Sequence, residues 1–115
     1  MRVIIAGSRE FNNFKLLCKV SDFYLQNQSN IQIVSGTAKG ADSLGERYAK
    51  KRRFSIKRFP AQWQTYGKSA GYFRNKAMVM HSQGLIAFWN GRSRGTGSII
   101  RLAKNNGLKV RVKYF

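Results

Sequence analysis

The apolar positions of this chain fall into short runs and helical stripes that alternate from one end to the other. Val3-Ile4-Ile5-Ala6 is a continuous apolar run opened by Arg2 and closed by Gly7, the pattern of a strand buried on both faces. Asn12-Asn13 then offers a helix cap, and Phe14, Leu17, Cys18, Ser21, Tyr24 and Leu25 recur at helical spacing to about Asn27. Ile31-Gln32-Ile33-Val34 predicts a second strand, after which Ala41, Leu44, Tyr48 and Ala49 line one face of a helix ending near Arg53. Phe54 and Ile56 alternate with Ser55 and Lys57 before Pro60, the period of an edge strand. Tyr72 to His81 predicts a helix with Phe73, Ala77 and Met80 on one side, followed by another fully apolar strand, Gly84 to Phe88. Ile99, Leu102 and Ala103 mark a last helix stopped by Gly107, and Leu108, Val110 and Val112 alternate with Lys109, Arg111 and Lys113 in a second edge strand.

Strict alternation of strand and helix predicts an α/β fold with a five-stranded parallel sheet and helices on both faces. Strands one, two and four belong in the centre and the alternating strands three and five at the edges, which suits the order 3-2-1-4-5 and a single domain over residues 1–115. In that order the chain reverses between strands one and four, and sheets of this class bind ligands there, beyond the carboxyl ends of the strands. Three small-residue loops meet at that place: Gly7-Ser8-Arg9-Glu10, Ser35 to Asp42, and Trp89 to Ser98.

Charge narrows the ligand. Against 4 Asp plus Glu stand 22 Lys plus Arg, a formal charge of +18 that attracts polyanions whatever the fold, so nucleotides and nucleic acid are admissible partners. No run approaches a spanning helix or a signal-peptide core, so a cytoplasmic protein without membrane attachment is expected. One Cys and one His make neither a disulfide nor a closed zinc site, and neither a metal nor a resident cofactor is expected.

The stretch Val34-Ser35-Gly36-Thr37-Ala38-Lys39-Gly40-Ala41-Asp42 reads as a strand breaking into a loop and a helix N-terminus, with room, amides, a hydroxyl and Lys39 for an anion. Gly91, Ser93, Gly95 and Thr96, with Arg92 and Arg94, form a second such cradle. In the long connection after Pro60, Trp63 or Tyr66 either covers a base or packs the loop down, Arg74 and Asn75 can reach a phosphate or a ribose hydroxyl, and Lys68 is a further ligand-binding candidate. Gly67-Lys68-Ser69 is not a Walker A end, because Gln62 stands where the first Gly belongs. Carboxylates are sparse: Asp22 falls inside the first helix, Asp42 suits a capping role, and Glu10 is the remaining general-base candidate. Lys50-Lys51-Arg52-Arg53 is read as a solvated helix end that complements the dipole.

With Gly7-Ser8-Arg9 and Phe11, Ser35-Gly36, Gly40-Ala41-Asp42, Trp63 with Tyr66-Gly67-Lys68 and Gly71, Arg74-Asn75 and Trp89 to Thr96 in this order, the chain resembles the SLOG superfamily, in particular its YspA-like branch. The resemblance implies a three-layer Rossmann-like fold and a nucleotide-derived ligand of ADP-ribose or cyclic-nucleotide type, bound by a sensor or sequestering protein. It also implies relatives among the LONELY GUY phosphoribohydrolases and DNA-processing protein A, which keeps a nucleic-acid role and a hydrolytic one as alternatives. In the phosphoribohydrolases a Pro-Gly-Gly-x-Gly-Thr-x-x-Glu motif supplies a catalytic Glu together with an Arg. Aligning Gly95-Thr96 with its Gly-Thr puts Ile99 at that Glu, while Arg74 matches the Arg. An oxocarbenium-like state lacks its carboxylate there, so binding without that hydrolysis is expected. Relatives of this kind imply a homo-oligomer, whereas +18 on each subunit opposes close association.

Overall fold

Val3, Ile4 and Ile5 are fully buried because β1 (Arg2–Gly7) runs through the middle of the sheet and is covered on both sides. The computed structural model describes residues 1–115. After β1 come α1 (Phe14–Leu25), β2 (Gln32–Ser35), α2 (Ala41–Arg52), β3 (Ser55–Arg58), α3 (Trp63–Tyr66), α4 (Ala70–His81), β4 (Gly84–Trp89), α5 (Arg94–Asn105) and β5 (Lys109–Tyr114). All five strands are parallel in the order β3-β2-β1-β4-β5, a Rossmann-like arrangement. Alternate residues of β1 serve opposite layers. Val3 and Ile5 join Leu17, Tyr48, Ile86 and Phe88 beneath α1 and α2, whereas Ile4 and Ala6 join Val34, Met78, Leu85 and Ile99 beneath α4 and α5.

Local chemistry sets the element ends. The Asn13 side chain accepts from the Leu16 amide at 3.0 Å and starts α1, which stops at Leu25, two residues before the expected Asn27. Arg53 closes α2 in the left-handed region at φ 61°, and the basic run before it is partly engaged, with Arg52 paired to Asp22 at 2.7 Å. No helix is long and apolar enough to cross a membrane.

Two expectations are corrected. The last helix begins at Arg94 under a Ser93 cap, so Gly95 to Ser98 are helical and only the short Asn90–Ser93 segment is loop. α4 begins at Ala70, and its core side is Asn75, Met78 and Val79, while Phe73 and Met80 are 44% and 69% exposed. This helix carries two apolar stripes, and periodicity alone does not say which is inward. The stripe that wins is the one that lets Asn75 find a partner at the start of α5.

α2 rides close on β1. A Cβ on Gly45 would lie 2.8 Å from Cγ2 of the fully buried Ile5. Gly45→Ala therefore sets a helix-propensity gain of about 1 kcal/mol against overpacking that costs about 1–3 kcal/mol. Because neither backbone nor Ile5 has room to yield, net destabilisation is expected, seen as a lower urea midpoint at unchanged slope.

Candidate functional site

β2 leads into a loop tied down by its own first residues. Ser35 Oγ donates to Glu46 Oε2 at 2.6 Å and accepts from the Thr37 amide at 3.1 Å, while Glu46 also pairs with Arg58 at 2.9 Å. That tight turn places Thr37 at φ 64°, a left-handed conformation that is strained for a β-branched residue. The Ala38 amide then donates to Asp42 Oδ2 at 3.2 Å in the first turn of α2.

Gly36 lies between a carboxylate and a guanidinium. A Cβ there would stand 2.8 Å from Asp42 Oδ2 and 2.9 Å from Arg74 Nη1. Arg74 Nη1 donates to the Gly36 carbonyl, Arg74 Nε donates to Asn75 Oδ1 at 3.0 Å, and Asn75 Nδ2 donates to the Gly95 carbonyl at 3.4 Å. These bonds carry α4 across the crevice, joining the β2–α2 loop to the start of α5. Asp42 and Arg74 form no ion pair, so the guanidinium keeps donors for a ligand.

Two adjoining hollows share Arg9, Ala38 and Arg74. The first, about 290 Å³, is lined by Gly7, Asp42, Asn75, Ser93, Gly95 and Thr96, with Ala6, Met78 and Ile99 as apolar wall. The second, about 300 Å³, is lined by Gly36, Thr37, Lys39, Ala61 and Trp63. Two helix starts bound this cleft, and the first amides of a helix have no intrahelical partner. In α5 the Ser93 hydroxyl occupies only the Thr96 amide. Asp42 is the one carboxylate lining either hollow, and Ile99, 2% exposed, adds hydrocarbon to the wall of the first. Burial pushes the Asp42 carboxyl up to about 6, although the Ala38 amide and the Arg74 charge pull it down. Burial likewise holds the Arg74 guanidinium below its ordinary value, with Asp42 opposing.

The other residues proposed from sequence stand outside the hollows. Ser8 is buried and accepts from the Asn90 amide through its hydroxyl, and Ser35 is spent on Glu46 and Thr37. Gly40 is a packing requirement: at φ 77° a Cβ would lie 2.4 Å from the Ser8 carbonyl. Trp89 donates to the Ser93 carbonyl and stacks near Tyr114, bracing the loop, while Gly91 turns that loop at φ 81°. Tyr66 packs on Phe73 in a separate hollow behind α3, and Lys68 is exposed in a 3-10 turn. Glu10 is exposed and accepts from Asn90 Nδ2 without lining either hollow. Met78, on the wall of the first hollow, was legible in the sequence only as the residue one turn beyond Arg74 on α4.

A known protein family, described as YspA, cpYpsA-related SLOG family (YAcAr), matches residues 1–66, β1 through α3. The chain belongs to the YAcAr family of SLOG proteins. Arg74, Asn75 and the α5 side of the YAcAr cleft lie beyond the matched segment. The Gene 61 protein of Mycobacterium phage D29 is similar along nearly the whole chain: it is 32% identical over 116 residues, covering 95% of this chain and 93% of the phage protein. No solved structure gives a significant match.

Thr37→Gly should relieve strain of about 1–3 kcal/mol at an entropic cost of about 0.5–1 kcal/mol. The expected outcome is a thermal midpoint raised by a few degrees in calorimetry. Asp42 gives a pH signature of defined sign. Its folded pKa, about 6, exceeds the ordinary 3.8, so the folded state retains a proton that the unfolded chain releases. This carboxyl therefore makes stability fall as pH rises from 3.8 to about 6 and adds no slope beyond. Asp42→Asn should remove that slope in urea titrations across the window.

Proposed function

We propose that the YAcAr cleft binds a nucleotide-derived small molecule of ADP-ribose or cyclic-nucleotide type and holds it without hydrolysis, as a sensor or a sequestering protein. The observation that carries this reading is Arg74, a half-buried guanidinium shared by both hollows and free of any ion pair. A phosphate between Gly36 and Arg74 would meet a charged donor, with Arg9 and Lys39 adding charge and Trp63, 57% exposed, presenting a face to a base. The two hollows together, about 290 and 300 Å³, fall in the usual range of small-molecule sites. Ile99 and the single buried carboxylate disfavour glycosidic cleavage, since a second acid is missing for the departing base and the developing cation.

The test is calorimetric titration with ADP-ribose and with 3′,5′-cyclic AMP, whose phosphates stay ionised across pH 5 to 8. Arg74→Ala should weaken binding by about 1.5–3 kcal/mol. Affinity should rise as pH falls through about 6, because protonated Asp42 no longer repels the anion, and Asp42→Asn should make affinity independent of pH over that window. Unchanged affinity in Arg74→Ala removes Arg74 from the site, and release of free base or ribose phosphate refutes binding without hydrolysis.

A further inference from the structure

Only Arg52 and Arg58 of the 22 cations pair with a carboxylate, so the remaining charge is free for partners, and one part of it is ordered by the sheet itself. Val110 and Val112 of β5 pack into the core beneath α5, which turns Lys109, Arg111 and Lys113 to the α1 side. α1 stands beside β5 on that side and leaves an open groove between them. The Lys109 ammonium lies 4.9 Å from the Tyr24 ring, and the Tyr24 hydroxyl donates to the Lys109 carbonyl at 2.5 Å, fixing α1 against the strand. Between the two elements runs a groove in two continuous parts, of about 530 and 290 Å³, that meet at Phe23 and Arg111. Lys19 and Gln26 of α1 stand opposite the strand's cations, and Phe23 is 73% exposed among them.

We infer that this groove between α1 and β5, on the flank of the sheet and apart from the cleft, binds single-stranded nucleic acid. Alternate residues of a parallel strand are about 6.6 Å apart, so the three cations form a comb about 13 Å long. An extended polyanion carrying one charge per monomer can follow such a comb. Phe23 supplies an aromatic face on which a base can stack, and the Gln26 amide reaches base edges, which together make the charged-groove-and-platform combination of single-strand binders. Guarding an edge strand against aggregation would need a charge or two but no exposed aromatic beside them. A recess one strand wide, walled by a helix, fits neither a duplex nor a flat bilayer surface. Asp22 at the rim does not oppose an anion, because Arg52 and Tyr48 hold both its oxygens.

Fluorescence anisotropy with labelled dT12 tests this against salt concentration. The K109A/R111A/K113A variant should lose about 2 from the slope of log affinity against log salt, at ~0.7 per phosphate released. K76A/R101A/K104A removes the same charge from α4 and α5 and should leave most of that slope intact. F23A, which changes no charge and removes an exposed side chain, should lower affinity about five-fold or more. Equal losses in the two triple variants, or an unchanged F23A, overturn the site in favour of diffuse attraction. A K109A/R111A/K113A variant that loses phosphatidylserine vesicles but keeps dT12 overturns it in favour of a bilayer.

Discussion

Burial of β1 on both faces is the constraint on which the rest of this molecule depends. A strand whose side chains from Val3 to Ala6 are withdrawn from water on both faces must be flanked by strands and covered by helices. Here β2 lies on one side, β4 on the other, and a helix layer above and below. Because the chain departs from β1 in one direction and returns to its other edge, the loops after β1, β2 and β4 open on one crevice. Two helix N-termini point at it, and backbone amides supply part of its electrostatics before any side chain is considered.

Within that frame, α4 acts as a strut. Its Arg74 and Asn75 reach carbonyls on opposite banks, Gly36 and Gly95, and the absence of a side chain at Gly36 lets Asp42 and Arg74 come close without pairing. The arrangement keeps a cation partly desolvated and unspent, and a neighbouring carboxyl that takes up a proton near pH 6. A group poised in this way favours an anion over water, because low dielectric strengthens the attraction that solvent would otherwise screen.

Strand order and most helix positions were legible in the sequence because the apolar runs of β1 and β4 differ plainly from the period-two pattern of β3 and β5. The three loops were legible as a group by their small residues: Gly7 and Gly36 are small for reasons of approach, whereas a Cβ on Gly95 would meet open space. Direction was less legible. Phe73 and Met80 look like core in a one-dimensional pattern, yet the polar reach of Asn75 turns α4 the other way. Ser8, Ser35 and Gly40 look like ligand groups by type, but the loops use them in their own bracing, and only the three-dimensional structure distinguishes a free hydroxyl from one already hydrogen-bonded. Asp42 was readable as a brace for its loop, while its raised pKa follows from burial that no local pattern encodes.

The most direct measurement is mass spectrometry of small molecules released on denaturing the protein purified through a high-salt wash, with a thermal-shift screen of nucleotides on the same preparation. A cleft built around an unspent Arg74 predicts a nucleotide derivative recovered in stoichiometric amount, or a midpoint raised in proportion to the logarithm of nucleotide concentration. A preparation that releases none, and whose midpoint no nucleotide moves, would contradict the account.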